Sequence, residues 1–338
     1  MFRHHRSSLL LSFLSPLILL TLLLTACGST NSAKTGTSTP APTAKNITIG
    51  LGYIPDVQFA PFYVAKSKGY YSAAGLNVTF NHGIVPDLFG SMVAGRNTFV
   101  FAGGDELLAA RDKNIPAVDV ATIFQKYPVS LIVPSDSPIK TLADLKGHTI
   151  GIPGAYGSTY TGLLALLYSA HLKLSDVKLQ TIGFTQIAAL ISHKVDAVMG
   201  YSNNEALQLP ERGFPVHTFN VSDYQPLVSN GIITTEDTYR NQPAIVKSFV
   251  RATLSGLKDV IANPSAALDI CKVYIPTLTD TTQAMNVLKA TIPIWQGGNQ
   301  LGYNDSIVWQ SMERFLVAQK IIAPVKNLSQ DYVNLASS

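Results

Sequence analysis

The chain has 338 residues, of which 46% are hydrophobic and only 14% are charged, and its formal net charge is +4. This composition supports a sizeable core and excludes an intrinsically disordered chain. Removal of a leader containing Arg3 and Arg6 would lower the charge from +4 to +2, which is too small and too dispersed to indicate nucleic acid as a partner.

The N-terminal segment has the pattern of a secretory signal. Two arginines precede an apolar run over residues 9–24, which is the usual order of a basic start and a hydrophobic centre. A membrane-spanning anchor is the weaker interpretation, because Pro16 interrupts the run and small residues follow it. The run ends in Leu24-Thr25-Ala26-Cys27, which resembles the bacterial lipobox, where cleavage precedes a cysteine that receives a diacylglycerol. We therefore expect a signal peptide at 1–26 and lipidation at Cys27.

The segment at 27–45 is rich in Ser, Thr, Gly and Pro, which predicts a flexible tether above a membrane surface. The chain contains two cysteines, so lipidation of Cys27 would leave Cys271 without a disulfide partner. Cys271 lies in a helical pattern and is interpreted as a small core residue. Two cysteines and seven scattered histidines give no spacing typical of a metal site, and we expect no metal and no cofactor.

Short apolar runs then alternate with amphipathic helical patterns, which indicates mostly parallel sheets covered by helices. The first pass predicts strands at 47–51, 76–80 and 98–101 and helices at 61–69, 87–94 and 105–113. A second, weakly similar pass begins with the block 144–152, which is similar to the opening strand, and predicts strands at 177–182 and 197–199 and helices at 158–169 and 186–192. In both passes a strand ends in a loop that bears an acidic residue before the next helix, so we predict two α/β lobes of related topology.

The chain after residue 228 is predicted to be mostly helical and to pack on the first lobe, with helices at 243–262, 265–274, 281–290 and 306–319. Extended connections near 133–137 and 222–229 would form a two-strand hinge. The predicted lobes are 46–134 plus 229–338, and 138–222. Because open α/β sheets bind ligands beyond the carboxyl ends of their strands, the cleft between the lobes is the expected site.

Several sequence blocks carry a family resemblance. They lie at 52–65, 66–71, 74–78, 103–106, 142–147, 182–184 and 194–197. Together they resemble the SsuA/THI5-like (NMT1) family over roughly residues 47–262. The resemblance implies a type II periplasmic-binding-protein fold, with two α/β lobes, a ligand cleft and a two-strand hinge, and the permease and ATPase of an ABC importer as partners.

The predicted cleft loops are rich in tyrosines, amides and acids, which suit a flat polar heterocycle because rings stack and amides bind its edge. For any single tyrosine, covering the core or the surface is an equal alternative. The candidate ligand-binding residues are Tyr53, Asp56, Gln58, Asp105, Glu106, Gln125, Tyr127, Tyr156, Ser158, Tyr160, Tyr201, Asn203, Asn204 and Glu205.

Two of these acids have a second interpretation. Glu106 and Glu205 lie at predicted helix starts, where a carboxylate also complements the helix dipole, so the sequence leaves ligand contact and helix capping as alternatives. No arginine clamp is evident in the loops, which disfavours an alkanesulfonate, although helix N-termini could replace arginines as anion sites.

The blocks at 151–158, 200–205 and 221–224 resemble the riboflavin-binding, RibY-type members of the family, and after them its thiamine-pyrimidine binders. The pyrimidine-forming THI5 enzymes imply a cysteine-rich iron motif, which this chain lacks. We therefore expect a monomeric lipoprotein on the extracytoplasmic face of the cell membrane that binds riboflavin and is not an enzyme. A thiamine pyrimidine precursor is the alternative ligand.

Overall fold

The computed structural model describes residues 44–297 and 300–335. The predicted signal peptide, the lipidation of Cys27 and the tether up to residue 43 lie outside these ranges. Lys45, predicted as the last residue of the tether, is the first residue of a strand. Within the described ranges, no helix is both long and apolar enough to cross a membrane.

Ten strands form two five-stranded sheets in the described part of the chain. In chain order they are β1 (Lys45–Leu51), β2 (Leu76–His82), β3 (Phe99–Gly103), β4 (Ala117–Thr122), β5 (Val129–Pro134), β6 (Thr149–Ile152), β7 (Lys178–Thr181), β8 (Ala197–Tyr201), β9 (Val216–Asn220) and β10 (Asn230–Thr235).

Twelve α-helices surround these sheets within the same ranges. They are α1 (Ala60–Ser67), α2 (Tyr70–Ala73), α3 (Val85–Val93), α4 (Gly104–Asp112), α5 (Gly157–Ser169), α6 (Gln186–Ile191), α7 (Glu205–Glu211), α8 (Glu236–Asn241), α9 (Pro243–Ala262), α10 (Pro264–Tyr274), α11 (Thr281–Gln296) and α12 (Ser306–Ala318).

The two sheets have the same topology. The first has the strand order β2-β1-β3-β10-β4, and the second has the order β7-β6-β8-β5-β9. The strand in the fourth place, β10 or β5, is antiparallel to both of its neighbours. The two passes predicted from the sequence therefore build two mixed α/β sheets with one design, and the predicted fold class is confirmed.

The crossing between the sheets differs from the prediction. β5 was assigned to the first lobe, but it pairs with β8 and β9 in the second sheet. The chain therefore passes between the sheets at 123–128, not at 133–137, and it returns at 221–229, close to the predicted connection. All six residues of β5 are buried, so the run lacks the alternation of buried and exposed residues by which a half-exposed strand is recognised.

The helical tail packs against the first sheet, as expected, although β10 interrupts the predicted helical region. Apolar residues of α9 are buried at 246, 249, 250, 257 and 260, the spacing of one helix face. This face lies on α1, where a Cβ added at Gly256 would stand 2.3 Å from the Pro61 carbonyl oxygen. Glycine at this position therefore permits the two helix backbones to approach closely.

Candidate ligand-binding site

A cavity with about 780 Å³ of empty space, including its open mouth, lies between the carboxyl ends of the parallel strands of the two sheets. The segments around the first sheet contribute Gly52, Tyr53, Gln58, Phe59, Ile84, Val85, Phe101, Glu106, Phe124 and Asn230. The segments around the second contribute Pro153, Tyr156, Gly157, Ser158, Thr159, Phe184, Gln186, Tyr201, Asn204 and Glu205.

Eight of the fourteen candidate residues line this cavity, which places the predicted cleft loops together. They are Tyr53, Gln58, Glu106, Tyr156, Ser158, Tyr201, Asn204 and Glu205.

The other six candidates do not line the cavity. Asp56 lines an outer groove. Asp105, Tyr127 and Asn203 are buried and bind other protein groups behind the cavity wall. The Gln125 amide donates to the backbone carbonyls of Thr122 and Tyr303. Tyr160 packs, half-buried, against the core.

Apolar residues that the sequence analysis did not select form a large part of the wall. Phe59, Phe101 and Phe124 come from the first-sheet side, with ring centroids 6.0 Å apart for Phe59 and Phe101 and 5.9 Å for Phe101 and Phe124. Phe101 lies in β3, two residues before the carboxyl end of this strand. Its position near the predicted cleft loop was the signal in the sequence that could have identified it as a lining residue. The predicted site residues are all polar or tyrosine side chains, so this apolar wall is absent from the prediction.

One aromatic contact joins the two sides of the cavity. The rings of Tyr53 and Phe184 meet edge to face with centroids 4.8 Å apart. Both residues also line the outer groove, which has about 1720 Å³ of space open to solvent. The pair therefore lies at the boundary between the groove and the cavity.

A histidine positions the loop that carries Tyr53. The His82 ring lies between the Tyr53 carbonyl oxygen, 3.1 Å from Nδ1, and the Tyr63 hydroxyl, 3.2 Å from Nε2. Because a carbonyl only accepts, Nδ1 carries the proton and Nε2 accepts from Tyr63. Burial lowers the pKa of His82, which favours this neutral form.

Glu106 caps the junction between β3 and α4 and also faces the cavity. Its Oε2 accepts a hydrogen bond from the Gly103 N–H at 2.8 Å. The neighbouring Asp105 accepts a hydrogen bond of 3.0 Å from the Ser158 hydroxyl in α5, on the other side of the cleft. Burial raises the pKa of both carboxyl groups, and the charge of Asp105 raises that of Glu106 further.

Glu205 occupies the equivalent place between β8 and α7. Its Oε2 accepts from the Tyr201 N–H at 2.8 Å, and burial raises its pKa to about 7. The adjacent Asn203 donates across the cleft to Gln58 Oε1 at 3.0 Å and to the Thr291 hydroxyl at 2.8 Å. Both glutamates thus accept a hydrogen bond from a backbone N–H and also line the cavity.

The ionisable side chains among the described lining residues are carboxyl groups and phenols. Tyr53 and Tyr201 lie near Glu205, and burial followed by the neighbouring carboxylates raises the pKa of each phenol, so both remain neutral donors. Among the described lining residues there is no Lys, Arg or His. No cluster of three or more His, Cys, Asp or Glu suited to a metal occurs in the described part of the chain.

Comparison with known proteins places the sequence in a family. The NMT1/THI5-like family profile matches residues 56–267. The riboflavin-binding protein RibY of Chloroflexus aurantiacus is 36% identical over 94% of this chain and 95% of its own. The formylaminopyrimidine-binding protein of Halalkalibacterium halodurans is 26% identical over 71% of this chain and 73% of its own.

An enzyme and a solved structure also match. The 4-amino-5-hydroxymethyl-2-methylpyrimidine phosphate synthase of Legionella pneumophila is 24% identical over 85% of this chain and 91% of its own. The periplasmic aliphatic sulphonate binding protein SsuA of Escherichia coli has a TM-score of 0.67 at 14% identity, covering 85% of this chain and 91% of its own. At that identity the likeness shows the fold alone. The chain therefore belongs to the NMT1/THI5-like family and has the periplasmic-binding-protein fold.

Proposed function

We propose that the protein is an extracytoplasmic solute-binding lipoprotein that captures riboflavin and delivers it to the permease and ATPase of an ABC importer. The observation that carries this proposal is the 36% identity, over 94% of the chain, to a riboflavin-binding protein. The protein acts as a monomer that binds and releases its ligand without transforming it.

The cavity lining has the chemistry that a flavin requires. The phenylalanines on the first-sheet side and the tyrosines offer ring faces for an isoalloxazine. Gln58 and Asn204 offer amides for the imide edge, and Glu106 and Glu205 offer acceptors for the ribityl hydroxyls.

A pyrimidine precursor of thiamine is the second candidate, because a formylaminopyrimidine-binding protein is also similar to this chain. A single pyrimidine ring would occupy less of the apolar wall. The alkanesulfonate interpretation has less support, since the described lining contains no cation to pair with a sulfonate.

Titration of the purified protein with riboflavin tests the proposal. We expect quenching of flavin fluorescence and a melting temperature that rises with ligand concentration, because ligand binds the folded state. An absence of quenching together with calorimetric binding of formylaminopyrimidine would transfer the assignment to the second candidate.

The membrane anchor is tested separately at Cys27. The motif Leu24-Thr25-Ala26-Cys27 supports cleavage before the cysteine and its lipidation. Cys27→Ala should therefore move the protein from the membrane fraction to the soluble fraction. Full retention of this variant in the membrane would favour an uncleaved anchor.

A further inference from the structure

The first turn of α5 faces the cavity. Gly157, Ser158 and Thr159 are the first three residues of this 13-residue helix, and all three line the cavity. The N-terminus of a helix carries free N–H groups and a partial positive charge, so it ordinarily attracts a phosphate, a sulfonate or a carboxylate. In a cavity whose described lining has no basic side chain, this is the natural place for an anionic ligand group.

Two carboxyl groups of the protein lie against the start of α5, Asp105 behind the cavity wall and Glu106 in the cavity lining. Asp105, which is 2% exposed, accepts a hydrogen bond of 3.0 Å from the Ser158 hydroxyl. Glu106 Oε2 lies 3.5 Å from the same hydroxyl. A Cβ added at Gly157 would stand 2.9 Å from Glu106 Oε1, which shows how closely this carboxyl group lies against the start of α5.

We propose that Asp105 and Glu106 act as a built-in anion at the N-terminus of α5 and make the cavity selective for neutral ligands over their phosphate or sulfonate counterparts. This inference rests on the proposed function, because it assumes that the same cavity binds the solute. It does not depend on which heterocycle is bound.

The physical reason has two parts. An anionic ligand group would enter a buried space beside the Asp105/Glu106 pair without a cation in the described lining, so repulsion and lost hydration would oppose binding. The charge of Asp105 raises the pKa of Glu106, so the pair shares one negative charge at neutral pH. A neutral hydroxyl would instead donate to these carboxyl groups. A phosphorylated form of the solute would therefore have to lose its phosphate by hydrolysis before capture.

Flavins provide the direct test, because riboflavin and flavin mononucleotide share the fluorescent ring and differ by one phosphate. We expect the wild-type protein to bind flavin mononucleotide at least about 100-fold more weakly than riboflavin at neutral pH, the size of effect that repulsion in a buried site produces. In Asp105→Asn/Glu106→Gln the ratio of the two Kd values should fall to about tenfold or less. Glu106→Gln alone should give an intermediate ratio and serves if the double variant does not fold.

Asp269→Asn is the matched control, since it removes a carboxylate whose side chain is 73% exposed on α10. It should keep the wild-type ratio. Equal binding of the two flavins by the wild-type protein would overturn the inference and leave the proposed function intact. A further arm uses ethanesulfonate, followed by thermal shift. Stabilisation of the wild-type protein by this anion would overturn the inference whether or not a flavin binds. If the wild-type protein bound neither riboflavin nor formylaminopyrimidine, that result would instead contradict the proposed function.

Discussion

The two strand–helix junctions at the cavity have the same backbone design but different side-chain chemistry. At each junction a glutamate caps a backbone N–H at 2.8 Å, Glu106 after β3 and Glu205 after β8. At each, a neighbouring residue binds the opposite side of the cleft, Asp105 through Ser158 and Asn203 through Gln58 and Thr291. The first junction therefore joins the two sides through an acid and the second through an amide.

This difference shows how one topology divides two tasks. The first junction has two carboxyl groups, buried Asp105 and half-buried Glu106, and the second has one, buried Glu205, so the first has the larger part in the charge of the cavity. The contact across the cleft at the second junction is made by the neutral amide of Asn203, which binds Gln58 in the turn before α1 and Thr291 in α11, so this contact itself buries no charge. We expect substitutions to separate these tasks.

The largest expected effect is on the pH dependence of stability. The pKa of Glu205 is about 7 in the folded protein against an ordinary value of 4.5, so the folded state binds more protons between these values and stability falls as pH rises from about 4.5 to 7. Glu205→Gln removes this loss. Relative to the wild type, its free energy of unfolding should increase by up to about 3 kcal/mol between pH 5 and pH 8.

Urea unfolding at pH 5, 6, 7 and 8 measures this relative gain. The pKa of both Asp105 and Glu106 is also raised by burial. The free energy of unfolding of Asp105→Asn/Glu106→Gln, relative to the wild type, should therefore also increase with pH. For the surface variant Asp269→Asn this difference should not vary with pH. If the difference in free energy of unfolding between Glu205→Gln and the wild type did not vary with pH, burial would not raise the pKa of Glu205 in the folded protein.

The next effect concerns the amide contact of the second junction. Asn203→Leu leaves Gln58 Oε1 and the Thr291 hydroxyl without the amide donor that binds them. Loss of a partner for buried polar groups costs about 2 kcal/mol, so ligand affinity should fall about 30-fold. Fluorescence titration measures the affinity, and thermal melting measures the accompanying loss of stability.

Asn241→Leu provides the control, because Asn241 is exposed on α8 and its amide donates to Asp237, one turn earlier in the same helix. It should bind ligand as the wild type does. Equal affinities for the Asn203 and Asn241 variants would mean that the amide contact across the cleft does not contribute to ligand affinity.

The sequence predicted the junctions better than it predicted their contacts. Local patterns located β3, α4, β8 and the two capping glutamates, because apolar runs and helix starts depend on nearby residues. Local patterns could not distinguish Asn204, which lines the cavity, from its neighbour Asn203, which is 1% exposed and binds the opposite side. That distinction depends on how distant segments pack. The antiparallel strand β10 was missed for a related reason, since it is inserted into a sheet whose other strands, β1 to β4, come from a distant part of the chain. Strand β5 was missed because all six of its residues are buried and show no alternation.

The smallest expected effect tests the acid contact of the first junction. Ser158→Ala removes the hydroxyl that donates to Asp105 at 3.0 Å but leaves the α5 backbone in place. Losing one such hydrogen bond costs about 1 kcal/mol, so ligand affinity should fall about fivefold. Ser169→Ala is a control within the same helix, since its hydroxyl donates to the Ala165 carbonyl far from the cavity. A larger loss for Ser158→Ala than for Asn203→Leu would reverse the comparison, because the acid contact would then contribute more than the amide contact to holding the two sides together.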